Sequence, residues 1–406
     1  MRVLLVRAAI GLACLPAVAG AQTLSLTETQ ALSRLSSESP RVQALRAAVT
    51  VAEADILAAA RWPNPRVTFS REAVAGIAEH YITVAQPLPI TGRRGFEVDA
   101  AEARAGATAS RTDEAVRRMR ADLRLAFTSL WVAQTREREL ARGRDRLQAL
   151  ADILGRREAA GESAGFDRLR ADREVIDIDA DRASAANERT RAQGLLVGFF
   201  AEVPPAPLVE AQAGTPARTP VPGVDELMTR AEMRGAFAAL RQELDAAEFM
   251  GRAASRRAVP EPEIVAGTKS SNAGTGDVGS ILSVHVAIPL FDRARPERAA
   301  AVARTQQVRA ETDALRLTVR AQIAAWRAAV LERRQTADRY REAVGGNADA
   351  IERIAQVSYE AGEQGILELL DAYRTASSAR VRQAALDAAV REAEIELEYV
   401  SGWEIQ

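Results

Sequence analysis

Val84-Ala85-Gln86-Pro87-Leu88 and Val286-Ala287-Ile288-Pro289-Leu290 are one pattern written twice, about 200 residues apart. Upstream of each copy stands a second matched pair. It is Arg61-Trp62-Pro63-Asn64-Pro65-Arg66-Val67 in the first and Ala258-Val259-Pro260-Glu261-Pro262-Glu263-Ile264 in the second. Downstream, Ala160-Gly161-Glu162 is matched by Ala361-Gly362-Glu363. Three landmarks in the same order make the chain a tandem repeat, 22–203 and 224–406. The join, 204–223, holds Pro204, Pro205, Pro207, Pro216, Pro220 and Pro222 and cannot continue a helix, so it reads as a linker or irregular belt.

Each repeat predicts the same elements. A helix comes first, Thr27–Arg61 and Val224–Ala258, with Thr27 placed to cap and Gln30 three residues on. Pro-x-Pro breaks it, and two strands follow within 64–88 and 261–290. A long helix runs from Gly92 to about Ala160, and from Asp292 to about Ala361. A glycine turn then leads into a shorter helix, Asp167–Gly198 and Ile366–Ser401.

The long helices carry heptad seams: Val116, Met119, Leu123, Ala126, Leu130 and Ala133, then Leu140, Leu147 and Leu154. Leu386, Val390, Ala393, Leu397 and Val400 continue the pattern near the C-terminus. At ~1.5 Å per residue a long helix spans about 100 Å and a short one about half that. Two short helices stacked end to end therefore match one long one. The class is mainly α with a small β part.

The strands alternate. Leu282, Val284, Val286 and Ile288 share one face, and Ser283, His285 and Ala287 the other. Ile82 and Val84 alternate with Tyr81 and Thr83, and Val67 and Phe69 with Thr68 and Ser70. Such strands suit either hairpins packed on the helices or a tilted crossing of a bilayer. In lipid, four strands cannot close a barrel and an open edge is not tolerated. Several chains would then share one barrel, eight strands from two copies or twelve from three.

Composition excludes other classes. The chain has 406 residues, with 54 Lys+Arg against 55 Asp+Glu and 4% aromatics, which argues against nucleic-acid binding. Two histidines and one cysteine leave no zinc ribbon and no internal disulfide. Residues 1–21 read as an export signal. Arg2 and Arg7 precede the apolar Ala8–Leu15, and Ala19-Gly20-Ala21 is a small-residue cleavage site whose use removes Cys14. Lipidation of Cys14 is the weaker reading, because Gly11 stands where a large aliphatic residue is expected.

The signal, the repeated helix–hairpin–long helix–helix order and the cysteine-free mature chain resemble the TolC family of outer-membrane efflux proteins. The most specific pieces are Trp62-Pro63-Asn64-Pro65, Gln86-Pro87-Leu88-Pro89 with Gly92-Arg93-Arg94, and Tyr359-Glu360-Ala361-Gly362 running into Leu367-Glu368-Leu369-Leu370-Asp371-Ala372. The Gln86–Pro89 strand end looks more like the heavy-metal (CzcC-like) branch.

The resemblance implies a homotrimer whose chains share a twelve-stranded outer-membrane β-barrel above a long periplasmic helical barrel. It implies an exit duct without cofactor or catalytic residue, lying in outer-membrane lipid and working with an inner-membrane pump and a periplasmic adaptor. Acidic residues at the positions of Glu368 and Asp371 would ring the periplasmic entrance. Asp167 and Arg170 are their first-repeat equivalents, and Arg170 is placed to pair with a carboxylate and hold the entrance shut. Gly161-Glu162 and Gly362-Glu363 would be the tips an adaptor meets. The rival reading is a soluble periplasmic coiled-coil adaptor or scaffold.

Four motifs imitate chemistry. Gly161-Glu162-Ser163-Ala164-Gly165 fits a nucleophile elbow, but a helix rather than a strand precedes it. Gly274–Gly279 fits a dinucleotide fingerprint, but a strand follows it where a helix is needed. Asp177, Asp179, Asp181 and Glu188 resemble a calcium loop, with Arg182 where glycine is required. His80 and His285 fall near the second strand of each repeat and read as polar or interfacial residues.

Overall fold

The computed structural model describes residues 23–161, 165–202, 204, 208–212, 219–274, 276–345 and 347–404. Residues 1–21, read above as an export signal, with Cys14 among them, and Glu162 and Ser163 lie outside them.

The first repeat opens with β1 (Thr23–Leu26) and α1 (Glu28–Ser33). Thr27 caps α1 as its sequence requires. Its hydroxyl accepts from the Gln30 N–H at 3.2 Å, and the Gln30 side chain accepts from the Thr27 N–H at 2.9 Å. The first helix is shorter than the periodicity predicts. Pro40 holds Ser39 in an extended conformation, so a fresh helix, α2 (Pro40–Ala59), starts there. Strands β2 (Arg66–Val74) and β3 (Ile77–Pro87) form a hairpin. α3 (Arg93–Ala159) then runs unbroken for 67 residues, and α4 (Gly165–Val197) returns beside it.

The second repeat follows β4 (Leu208–Ala211). Its first helix is also divided, into α5 (Val224–Ala231) and α6 (Gly235–Arg256). A side chain at Gly235 would collide with the carbonyl oxygen of Ser110, so α6 restarts pressed against α3. Strands β5 (Pro262–Ser271) and β6 (Val278–Val286) lead into α7 (Arg295–Tyr340). The predicted long helix to Ala361 is interrupted. A π turn at Arg341–Gly345 ends α7, and α8 (Ala348–Glu360) restarts beyond it. Gly345-Gly346-Asn347 is a run of poor helix formers, which accounts for the break. α9 (Ile366–Ser401) has the predicted bounds.

The proline-rich join holds a strand that periodicity does not reveal. β1 and β4 pair in parallel, from Thr23 with Leu208 to Leu26 with Ala211. Gln134 of α3 completes the ladder: its side-chain amide donates to the Val209 carbonyl at 2.8 Å and accepts from the Ala211 N–H at 3.0 Å.

Strand order β2-β3-β5-β6 matches helix order α2-α3-α6-α7, because each strand runs into one helix. Farther from the sheet the order is α4-α3-α9, with α7 and α8 on the far side of α9. Long helices thus lie beside stacked pairs, as the lengths require.

The seams are the core. Leu123 and Leu130 are buried with Phe127, Leu196 and Val209. Val319, Ile323, Val330, Leu397 and Trp403 form the matching cluster of the second repeat. Alanine fills much of the remaining buried surface of α3, at positions 100, 101, 105, 107, 121, 133 and 151, and lets neighbouring helices approach closely.

The two long helices start differently. Gly92 caps α3 at φ 76°, and its counterpart Ala294 caps α7 at φ 53°. A left-handed conformation costs an alanine about 1 kcal/mol more than a glycine. The Ala294 methyl is buried, which offsets that cost by about 0.8 kcal/mol, so Ala294→Gly is expected to leave the thermal midpoint nearly unchanged.

Candidate conduit and its periplasmic entrance

Register decides which residues share a face of the sheet. Val67, Val84, Ala266 and Leu282 stand in one row across all four strands. Phe69, Ile82, Thr268 and Ser280 form the next row on that face. The opposite face carries Ser70, Tyr81, Lys269 and Gly279 in one row, and Glu72, Glu79 and Ser271 in another. One face is apolar and the other polar, as the alternation predicts. Leu282 stands in the middle of β6, whereas Val286 ends the strand next to the helices.

His80 and His285 do not share a setting. His80 lies on the apolar face, its ring 6.1 Å from that of Phe69, while His285 lies on the polar face opposite Glu263. Their positions near matching strands conceal this difference, because a shift of one residue in register exchanges faces.

The apolar face is not covered by the chain's own helices. Val67, Phe69, Ile82, Val84, Leu282 and Val284 are all exposed, and Leu282 is 80% exposed. This rules out hairpins packed on the helix layer. Among the described residues no helix is long and apolar enough to cross a membrane.

Two sequence motifs meet where sheet becomes helix. The Arg94 guanidinium lies 5.4 Å from the Trp62 ring centre and donates to the Ala60 carbonyl at 3.0 Å. The Gln86 side chain donates to the Pro63 carbonyl at 3.0 Å. Arg93 pairs with Glu261 at 3.2 Å, and the Thr91 hydroxyl donates to the same carboxylate at 2.7 Å. Glu261 therefore joins the two repeats. The Pro-Glu-Pro copy of the repeated motif signals it only through its position.

At the opposite end, Gly161 and Gly362 turn the chain between helices at φ 86° and 75°, a conformation cheap only for glycine. Glu363 is exposed beside Gly362. Glu368 and Asp371 are exposed on one side of α9, while Ile366, Leu369 and Leu370 are buried against Leu147, Leu154, Ala171 and Val175. Asp167 is half-buried at the start of α4 and Arg170 is exposed. No ion pair among the described residues engages Glu368, Asp371 or Arg170.

The latches lie deeper, and their partners are far apart in sequence. Glu174 pairs with Arg374, which links α4 to α9. Buried Glu352 of α8 accepts from Arg146 of α3 and, at 2.8 Å, from Arg380 of α9. Arg380 also reaches Asp349 at 2.5 Å. Nothing local in the sequence marks these pairs.

The remaining motifs resolve as structure. Asp177, Asp179 and Asp181 lie on α4, where Asp179 stands 3.4 Å from Arg144. Gly274 and Gly276 turn the β5–β6 loop. Among the described residues no group of three or more potential ligands could hold a metal ion.

A sequence profile for the family described as "Outer membrane efflux protein" matches residues 228–402, the second repeat from α5 to α9. The second repeat thus resembles the outer membrane efflux proteins. It is similar to the cobalt-zinc-cadmium resistance protein CzcC of Cupriavidus metallidurans, with 25% identity over 88% of this chain and 85% of that protein. It is also similar to the nickel and cobalt resistance protein CnrC of the same organism, with 28% identity over 68% and 67% of the two chains.

The fold is that of solved outer-membrane channels. A membrane protein of Pseudomonas aeruginosa superposes with a TM-score of 0.77 at 19% identity, covering 92% of this chain and 93% of that one. The MtrE channel of Neisseria gonorrhoeae in its open state gives 0.74 at 17% identity, covering 93% and 89%. The chain thus has the fold of outer-membrane channels, and the family that its second repeat matches is described as one of efflux proteins.

Proposed function

We propose that three copies close head to tail into one conduit, the passive exit duct of a tripartite efflux system. The observation that carries this is the pair of unpartnered edges. On one side the layer ends in β2, α2 and α4, with Val51, Leu57, Phe166, Leu169 and Ile176 exposed. On the other it ends in β6, α7 and α8, with Leu317, Ile354 and Val357 exposed. The edges differ, so each fits the other and neither fits itself, which is the condition for a ring. A strand edge in lipid requires such a partner. Twelve strands leave a wider interior than eight, whose interior side chains fill. Residues 22–203 and 224–406 then act as two repeats about the belt at 204–223.

The polar sheet face lines this duct. Its periplasmic end is ringed by Glu368 and Asp371, with Asp167 and Arg170 from the first repeat. Carboxylates around a narrow axis favour cations. The resistance proteins it resembles are named for cobalt, zinc, cadmium and nickel, which supports metal cations as cargo. The turns at Gly161-Glu162 and Gly362-Glu363 are the docking tips for a periplasmic adaptor that links the duct to an inner-membrane pump.

Current through the purified protein in planar bilayers tests this. Trivalent cations added on the helical side are expected to block it, because carboxylate rings suit hard cations. Glu368→Ala with Asp371→Ala is expected to weaken block and cation preference while the trimer persists, both side chains being solvated. Asp177→Ala with Asp181→Ala, on the exposed surface of α4, is the control. Equal effects of the two pairs would remove the entrance assignment.

A further inference from the structure

Charge on the polar face is concentrated at the two ends of the sheet. Near the helices lie Arg66, Glu263 and His285. Near the Ala75–Gly76 hairpin turn, at the end farthest from the helices, lie Glu72, Glu79 and Lys269. Lys269 is the only lysine of the chain. It stands directly across from Tyr81 on β3. Its ammonium is 2.7 Å from the Glu79 carboxylate and 5.3 Å from the Tyr81 ring centre. The Tyr81 hydroxyl donates to the same carboxylate at 2.5 Å.

Glu79 also stands directly opposite Glu72 of β2. Two like charges facing each other across a strand pair destabilise it. Lys269 offsets that repulsion from the third strand, which ties the first repeat to the second where β3 meets β5. The group carries one net negative charge per chain. Its members are partly exposed, so that charge is felt in the space the face lines.

We infer that Glu72, Glu79 and Lys269 form a second charge ring, at the outer mouth of the duct, which sets the preference for small inorganic ions there independently of the periplasmic entrance. This rests on the proposed barrel with its polar face inward. In that barrel three copies place six carboxylates and three ammonium groups around one opening. Removing a member shifts the balance with a definite sign. Lys269→Met doubles the net negative charge of each chain's share. Glu79→Gln cancels it. The two changes together restore the original count. A staple that only holds strands together would give no such signs, since losing either partner would weaken it alike.

The test is the reversal potential of the purified full-length protein in planar bilayers under a potassium chloride gradient. All variants carry Glu368→Ala and Asp371→Ala, so that the entrance does not mask the mouth. Lys269→Met is expected to raise the potassium-to-chloride permeability ratio about two-fold, and Glu79→Gln to lower it by about the same factor. The double variant is expected to return to the starting ratio. Lys269→Gln serves as a second variant should Lys269→Met fail to assemble. Conducting single variants with an unchanged ratio, or with shifts of the same sign, would overturn the ring. Absence of any channel from the wild-type protein would overturn the barrel reading itself, and the ring with it.

Discussion

Leu282→Arg is expected to destabilise the assembled channel by about 2–4 kcal/mol, the cost of an arginine on the lipid face near the bilayer midplane. Leu282 occupies the middle of β6, in a row with Val67, Val84 and Ala266, and no part of the chain covers it. Ser283→Arg, one residue along on the polar face, is expected to cost much less, because its side chain stays in water. Val286→Arg should fall between them. That residue closes the strand beside the helices, where an arginine can reach headgroups. The measurement is the yield of folded protein in outer-membrane fractions together with the denaturant midpoint of the assembled form. Equal tolerance at 282 and 283 would remove the lipid assignment of the apolar face.

Glu394→Ala is expected to destabilise the fold by about 3–5 kcal/mol, the usual cost of removing one partner of a buried ion pair. Its side chain is 1% exposed. It accepts from Arg334 of α7 at 2.7 and 2.9 Å and from Arg391 at 3.2 Å. Arg391 also donates to Glu28, which bonds Arg124 as well at 2.6 Å, and Arg124 reaches Glu398. The cluster thus ties α1 to α3, α7 and α9, and one truncation leaves several charges poorly compensated.

Acid attacks the same cluster. Burial alone pushes the Glu28 carboxyl upward, but bonds and charge from Arg391 and Arg124 outweigh it and hold the group below its usual range. A depressed carboxylate contributes stability that is full above its unfolded value near 4.5 and is lost as pH falls through its folded value. Glu28→Gln should therefore flatten the fall of stability with pH below about 4.5 while lowering stability at neutral pH. Thermal unfolding of both proteins across that range checks this.

Much of this architecture is legible in the sequence because it is written twice. The proline landmarks place both hairpins, the heptads place Leu123, Leu130, Ala393 and Leu397 in the core, and α9 has the bounds its pattern gives. What escaped depends on contacts rather than patterns. β1 and β4 are four residues each, too short to show a period, and β4 sits among prolines. The restart at Gly235 reflects the approach of Ser110, which no local rule contains. In a chain where arginine and acids stand on almost every helical turn, spacing cannot say that Arg380 chooses Glu352, or that Glu261 chooses Arg93. Glu368 and Asp371 are the reverse case. Their spacing places them on one side of α9, but what that side faces is decided by other copies of the chain.

The account stands on the joining of two different edges between copies. Cys14 is the only cysteine of the sequence, so a disulfide scan in a Cys14→Ser background is clean. Thr68→Cys on β2 would be paired in turn with Gly279→Cys, Ile281→Cys, Ser283→Cys or His285→Cys on β6, all five positions lying on the polar face. Within one chain β2 and β6 are separated by two strands, about 14 Å, too far for a disulfide. Oxidation of the native outer-membrane protein is expected to yield dimers and trimers, and nothing larger, from at least one pair. Monomer alone from every pair, or a ladder extending past three, would contradict the account.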